Sequence, residues 1–408
     1  MIHVQPWHRA LGSLLGGNVL FGAGLFFHAF LYNFYLEAIG HPETVMGYAA
    51  AFLTAGGLAA LLPAGKLVDV LGPRLVLCGA VVLGALGLAV GAVVARPALI
   101  YGAAMVAGAG AGSWRVAQGP MIMGLTDAES RPRVFSWNVA LLVGTGGVWI
   151  LTSASVPGWL ETTFGFSSLS AIRAALLIGV AATVTSLLLF AVLPRSLEAE
   201  DRSGSEGHPS GGRPAAAPLP STIVILVVLV ALWMLAPALV TPFFNLYFNR
   251  EWGVPVAQIG LIFAAAHVVT AVAIFGSAEL ASRLGVKRTL AGWMLLFGPT
   301  LVALAVVGSL GSAIVLYLIQ GFVSPATNPL IDQILLEMAP ANRRGMVSSW
   351  RNAATEGSGA AGAAIGGIVL QSGSFGSLFA GAGATGLIAA GLLLLGLTRS
   401  RPGAAAAE

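Results

Sequence analysis

Six ionisable side chains stand where apolar surroundings argue against them. His28, Arg115, His267, Asp332, Arg351 and Glu356 all fall inside long hydrophobic stretches of this 408-residue chain. A charge drawn out of water must be partnered or put to use, so such groups are the first candidates for handling a substrate, an ion or a proton. Arg115 lies in GAGAGSWRVAQG (108–119), together with Gln118. Its guanidinium can meet a substrate carboxylate, phosphate or carbonyl, or be tied to a structural acid. Asn328 and Asp332 are four residues apart, which puts both on one helix face. With Arg115 on one wall and Asn328 and Asp332 on the other, a cavity would suit a polar or zwitterionic ligand. The same groups can instead close it as an Arg115–Asp332 salt bridge. Burial disfavours the charged form of a carboxylate, which makes Glu356, and after it Asp332, the proton-carrying candidates. The alternative is an Arg351–Glu356 or Arg351–Asp332 pair that holds helices together. His28 and His267 suit either titration near neutral pH or hydrogen-bonded packing. No His has metal-ligand spacing, and neither a metal nor another cofactor is expected.

Aromatic residues crowd two segments, Phe26, Phe27, Phe30, Tyr32, Phe34 and Tyr35, then Phe243, Phe244, Tyr247 and Phe248. They ring their helices, so some belong to an interfacial belt and some point inward. Asn33 and Asn245 beside them suggest an amphipathic lining to which Tyr35 and Tyr247 contribute.

These side chains need a scaffold that is mostly out of water. The chain is 57% hydrophobic and 9% charged, with a mean hydropathy of +0.88, against about 25% charge in soluble domains. Apolar runs long enough for a hydrocarbon core about 30 Å thick occur near 11–36, 45–64, 74–95, 97–126, 134–155, 170–193, 221–248, 256–280, 287–309, 311–338, 346–370 and 375–397. They are continuous, without period-two alternation, so they predict helices rather than barrel strands. The fold class is an all-α polytopic membrane protein. The +4 net charge is no nucleic-acid signature, because the basic residues gather on one side. With the N-terminus inside, inner segments hold Lys66, Arg74, Arg131, Arg133, Arg283, Lys287, Arg288, Arg343 and Arg344 among others, and outer loops only Arg96, Arg173 and Arg250. That is the positive-inside pattern, with both termini cytoplasmic. Cys78 is the sole cysteine, so no intrachain disulfide is available. The Gly-, Pro- and Ser-rich stretch at 194–220 reads as a cytoplasmic linker between two halves, 1–193 and 221–397, with a tail at 398–408.

The halves repeat one another. GKLVDVLGPR (65–74) returns as AELASRLGVK (278–287), and VFSWN (134–138) as VSSWR (347–351). Gly72 thus maps to Gly285 and Trp137 to Trp350, both displaced by 213 positions, and both pairs read as shared packing positions. Buried charges diverge instead: Arg115 stands opposite Asn328, Gly119 opposite Asp332, and Asn138 opposite Arg351. Repeats of this kind build two bundles around a midplane site.

On these residues the chain resembles the major facilitator superfamily. Gly65, Leu67, Asp69, Gly72 and Arg74 match its signature between the second and third spans, while Val68, Val70 and Pro73 depart from it. In the second half Leu280, Ala281, Arg283, Gly285 and Lys287 match, with Ser282 in place of the acid and Ala278 in place of the first Gly. The resemblance implies two six-helix bundles working by rocker-switch alternating access. It also implies a cytoplasmic latch, with Asp69, Gly65, Gly72, Arg74, Arg283 and Arg351 as gating candidates, that stabilises the outward-open state. Two further signatures do not carry over. Arg115-Val-Ala-Gln118-Gly119 imitates the fourth-span Arg-x-x-Gln-Gly, but alignment on the following loop puts that signature's Arg near Ala104. The antiporter Gly-Pro-x-x-Gly-Gly is absent from the fifth span and only imitated in EGSGAAGAAIGG (356–367). The expected function is secondary transport of a small amphipathic or anionic molecule, with protons as a candidate partner and export favoured over uptake of a sugar or organic acid. The chain is expected to act as a monomer in the lipid bilayer of the cell membrane. A non-transporting membrane sensor is the reading from another class. No nucleophile–base pair and no phosphate-binding loop points to an enzyme.

Overall fold

The computed structural model describes residues 6–194, 221–340 and 343–399. The expected linker from 195 onward and the tail from 400 onward lie outside the described residues. The described chain is helical and holds no strand. The first bundle comprises α1 (Pro6–Ala38), α2 (Glu43–Leu71), α3 (Pro73–Val93), α4 (Pro97–Leu125), α5 (Arg131–Phe164) and α6 (Ser168–Ala191). The second opens with α7 (Ser221–Arg250), which runs through a 3-10 turn at Thr241–Phe243. It continues with α8 (Val256–Leu284), α9 (Val286–Val306), α10 (Leu310–Met338), α11 (Arg344–Ser372) and α12 (Phe375–Arg399). Among the described residues, 10 helices are long and apolar enough to cross a membrane. The two left out are α4 and α11, the helices that carry Arg115 and Glu356.

Local chemistry sets the boundaries. Gly72 and Gly285 separate α2 from α3 and α8 from α9 with φ of 83° and 86° and ψ of 156° and 146°. That backbone region is open essentially to glycine alone, so the repeat has kept glycine where a side chain is excluded. Pro73 and Pro97 open their helices, where a missing N–H costs nothing. Ser167 and Ser309 cap α6 and α10 by accepting from the N–H of Ser170 and Ser312.

The packing repeats as the sequence does. In the first bundle α4 lies against α2 and α3, and α1 against α5 and α6; in the second α10 lies against α8 and α9, and α7 against α11 and α12. Between the bundles α2 meets α11 and α5 meets α8, a symmetric exchange. Small residues allow these approaches. A methyl group at Gly47 would stand 2.5 Å from the Ala363 carbonyl oxygen, and one at Gly260 would stand 2.2 Å from the Ala154 Cβ. Trp137 and Trp350 depart from the packing role expected of them. They are 50% and 46% exposed, near the starts of α5 and α11. An exposed indole near a helix end suits a membrane interface, apolar on its face and polar at its N–H.

Candidate functional site

The faces of the two-bundle assembly differ. On the face of the short loops at 39–42 and 251–255 the bundles are clamped together. Arg250 of α7 reaches Glu37 at 2.8 Å and also pairs with Glu43, so one guanidinium ties both acids of the other bundle. Thr44 donates to Gln371 Oε1 at 2.5 Å. Asn33 of α1 donates through Nδ2 to the Pro242 carbonyl at 2.5 Å and to Asn245 Oδ1 at 3.3 Å, and Asn245 Nδ2 returns a bond to the Phe30 carbonyl at 2.8 Å. Pro242 belongs to the 3-10 turn that interrupts α7, and Asn33 thereby satisfies a carbonyl released by the irregular backbone.

Beneath this seal lies a cavity of about 520 Å³ between the bundles. Phe26, Phe30, Tyr32, Phe244, Phe263, Phe297 and Tyr317 make most of its wall. Its polar groups are His28, Asn33, Thr54, Thr241, His267, Gln320 and Ser324, and no Asp, Glu, Lys or Arg lines it. His28 stacks on Tyr32 with ring centroids 4.0 Å apart, and His267 meets Phe26 edge-on at 5.6 Å across the bundle boundary. A mostly apolar, concave site with a few convergent polar groups is what a small-molecule site looks like.

One ion pair crosses between the bundles at the inward end of this cavity. Arg115 Nη1 donates to Glu356 Oε1 at 2.6 Å. Its depth follows from its neighbours. Thr54 lines the cavity and packs against Gly359 of α11. One turn further along, a Cβ built on Gly57 would lie 3.0 Å from Arg115 Nη2. His267 of α8 also hydrogen-bonds the backbone of Val143 on α5 across the same boundary. The side chains of Arg115 and Glu356 are 46% and 22% exposed, so water reaches the pair.

Residues 221–408 match the family model described as Major Facilitator Superfamily. Solved structures match over nearly the full length. A point mutant of the nucleoside transporter NupG aligns with a TM-score of 0.76 at 13% identity, covering 96% of this chain and 100% of that one. A bacterial homologue of the human lysosomal transporter Spinster, in an inward-facing and occupied conformation, gives 0.77 at 14% identity, covering 97% of each chain. The xylose transporter XylE from E. coli, in an inward open conformation, gives 0.72 at 14% identity and 95% of each. No match was found among curated protein sequences. Residues 221–408 thus resemble that superfamily in sequence, and the whole chain shares its fold with these solved transporters.

Within this fold the expected site residues separate into three groups. Asn33 lines the cavity, whereas Asn245 supports it from behind. Tyr35 and Tyr247 do not line the cavity. Tyr35 donates to the Val94 carbonyl at 2.9 Å with Arg173 above its ring, and Tyr247 is wedged against Phe375 and Phe379. Gln118 is likewise internal: its Oε1 accepts from Asn18 at 3.2 Å and from Asn138 at 2.8 Å. The proposed facing of Arg115 against Asn328 and Asp332 does not occur. Arg351 takes both, donating to Asn328 at 2.9 Å and standing 2.8 Å from Asp332. That Nε–Asp332 approach is off the N–H direction, so the attraction is chiefly one of charge. The reason is distance along the helices. Asp332 lies on the basic-face side of the cavity, where the bundles part, and the cation on its own bundle reaches it first.

Of the residues expected to form a latch, Asp69, Arg74 and Arg283 make no hydrogen bond or ion pair across the bundles among the described residues. Among the described residues Asp69 has no hydrogen-bond or ion-pair partner, and it is exposed. Arg74 donates to the Ala191 carbonyl, and Arg283 pairs with Glu279 on its own helix at 2.6 Å. Gly65 meets nothing that a side chain would strike. Gln320, Tyr317, Ser324, Thr54 and Thr241 were missed as cavity residues. Tyr317, Gln320 and Ser324 form one stripe on α10 at helical spacing. Gln320 also stands where the repeat has Ala107, a mismatch of the kind that singled out Arg115.

Proposed function

We propose that this chain is a secondary active transporter that moves a small amphipathic molecule across the membrane by rocker-switch alternating access. The observation that carries the reading is the one-sided closure: a cavity sealed by Asn33, Asn245, Thr44, Gln371 and Arg250 on one face, with the Arg115–Glu356 pair as the ion pair that crosses toward the other among the described residues. With the basic face in the cytoplasm, both termini inside and residues 1–193 and 221–397 as the moving units, this is an inward-facing state. The unpartnered Asp69 agrees with it, since a latch holding the cytoplasmic ends together is open when those ends are apart. The cavity's lack of any cationic side chain favours an amphipathic substrate over an anionic one, and its aromatic wall favours export over uptake of a sugar. The nucleoside, xylose and lysosomal transporters that share the fold support transport as a class. The plasma membrane and a monomeric unit are part of the same reading.

Protons enter through Glu356. Its pair with Arg115 joins two bodies that must move against each other, so protonating the carboxylate would release a contact that this inward-facing state holds. Asp332, held by Arg351 within one bundle, is the second carboxylate and is less suited to report bundle movement. The test is counterflow of a ligand found by thermal shift in proteoliposomes, followed by uptake under an imposed pH gradient. Counterflow with a transient overshoot is expected; binding without exchange would make the protein a sensor. The gradient should accelerate net transport in the wild type and not in Glu356→Gln, with counterflow retained. Wild-type transport indifferent to the gradient removes the proton.

A further inference from the structure

The hydrogen-bonding atoms of the cavity are unevenly spent. Asn33 and Gln320 are both more than nine-tenths buried. Asn33 Nδ2 donates to the Pro242 carbonyl and to Asn245 Oδ1. Gln320 Nε2 donates to the Phe297 carbonyl at 3.0 Å and to Thr300 Oγ1. A backbone carbonyl can only accept, so these bonds fix the orientation of both amides. Each amide therefore turns its nitrogen toward the protein, and among the described residues no donor meets Asn33 Oδ1 or Gln320 Oε1. Three of the lining hydroxyls are committed in the same sense. Thr54 donates to Ala50 at 3.1 Å, Thr241 to Pro237 at 2.7 Å, and Tyr32 to Gly91 at 3.3 Å. Five lining side chains have thus used their donors on backbone or on the supporting side chains Asn245 and Thr300, and offer only oxygen lone pairs.

An acceptor left unpaired against a mostly apolar wall costs free energy, and a ligand that supplies a donor recovers it. Aromatic walls favour a flat ligand body, and no cation is present to neutralise an anion. We propose that the cavity selects an uncharged, planar aromatic molecule through that molecule's own O–H or N–H groups, with Asn33 Oδ1 and Gln320 Oε1 as the specificity-determining acceptors. This rests on the cavity being the substrate site of the proposed transporter and gives that substrate its chemical class.

Three probes of one shape test it: 4,4′-dihydroxybiphenyl, its dimethyl ether and biphenyl-4,4′-dicarboxylate. Equilibrium binding to the full chain in lipid nanodiscs is measured for each. The diol is expected to bind about tenfold more tightly than the ether, the usual worth of a hydrogen bond or two, and the dicarboxylate more weakly than both. Gln320→Leu should bring the diol-to-ether ratio toward one while ether binding and thermal stability persist, which a misfolded variant would not show. Equal binding of diol and ether, preference for the dicarboxylate, an unchanged ratio in Gln320→Leu, or no binding by any probe would each overturn the proposal. Selective diol binding without counterflow would sink the transport reading and leave the recognition rule standing.

Discussion

At the level of single residues, the informative event is an exchange of partners. Buried charge in an apolar span must be compensated, and that rule alone picks out Arg115, Asp332, Arg351 and Glu356 from the sequence. The i,i+4 spacing of Asn328 and Asp332 was equally legible, since one guanidinium reaches both. Which guanidinium was not legible. It depends on where the bundles part, and no periodicity encodes the depth of a cavity open to water. The outcome gives each pair a different character. Arg351–Asp332 lies within one bundle and holds α10 to α11 through any rigid-body motion. Arg115–Glu356 crosses bundles and is partly hydrated, where ion pairs are worth only about 0–1 kcal/mol, a strength suited to repeated breaking. Arg115→Glu and Glu356→Arg should each cut the initial transport rate about tenfold by setting like charges face to face, with the double exchange restoring it to within about threefold. Initial rates in proteoliposomes measure this, and a double variant no better than the singles would remove the pair from the mechanism.

At the level of helices, the contacts that hold a bundle together and those that join the two bundles use the same small residues. They should nevertheless answer differently to the same substitution. A methyl group at Gly108 would lie 1.8 Å from the Leu53 carbonyl oxygen, inside the α2–α4 crossing of one bundle. Backbone cannot step aside there, so Gly108→Ala is expected to destabilise the fold by about 1–3 kcal/mol or more and lower the melting temperature in detergent. Gly102→Ala, with nothing within 4 Å, is the silent control. Gly47→Ala strikes the Ala363 carbonyl across the bundle boundary. The bundles can relieve that clash by opening on this face, so its melting temperature should hold while the conformational balance shifts. Spin labels at Arg96→Cys and Gly308→Cys, exposed loops of different bundles on the sealed face, should then report a longer distance. A Gly47→Ala variant that melts early with the distance unchanged would contradict the distinction. Helix positions were legible from apolar runs, and the turns at Gly72 and Gly285 from the repeat. What could not be read was which glycines face a partner, because α-helical spacing gives a direction only after the neighbour is known.

For the whole molecule, the duplication supplies two bodies and the unequal faces supply a state. On the proposed transport reading, the symmetric exchange of α2 with α11 and α5 with α8 is the seam about which the two parallel repeats would rock. Closure of one face is built from side-chain contacts specific to it, so joining that face covalently should stop the cycle without disturbing the bundles. Thr44 and Gln371 touch across the boundary there, and the chain's single native cysteine, Cys78, can be replaced by serine to give a clean background. In Thr44→Cys/Gln371→Cys the oxidised protein is expected to retain its thermal stability and its binding of ligand from the basic face. Net transport and counterflow should both fall to background and return on reduction. Each single cysteine variant should transport before and after oxidation, which assigns any loss to the cross-link itself. Alternating access requires this face to open once in every cycle. Undiminished counterflow at complete cross-linking would mean that substrate passes without that opening, and the rocking of two bundles would then be the wrong description of this protein.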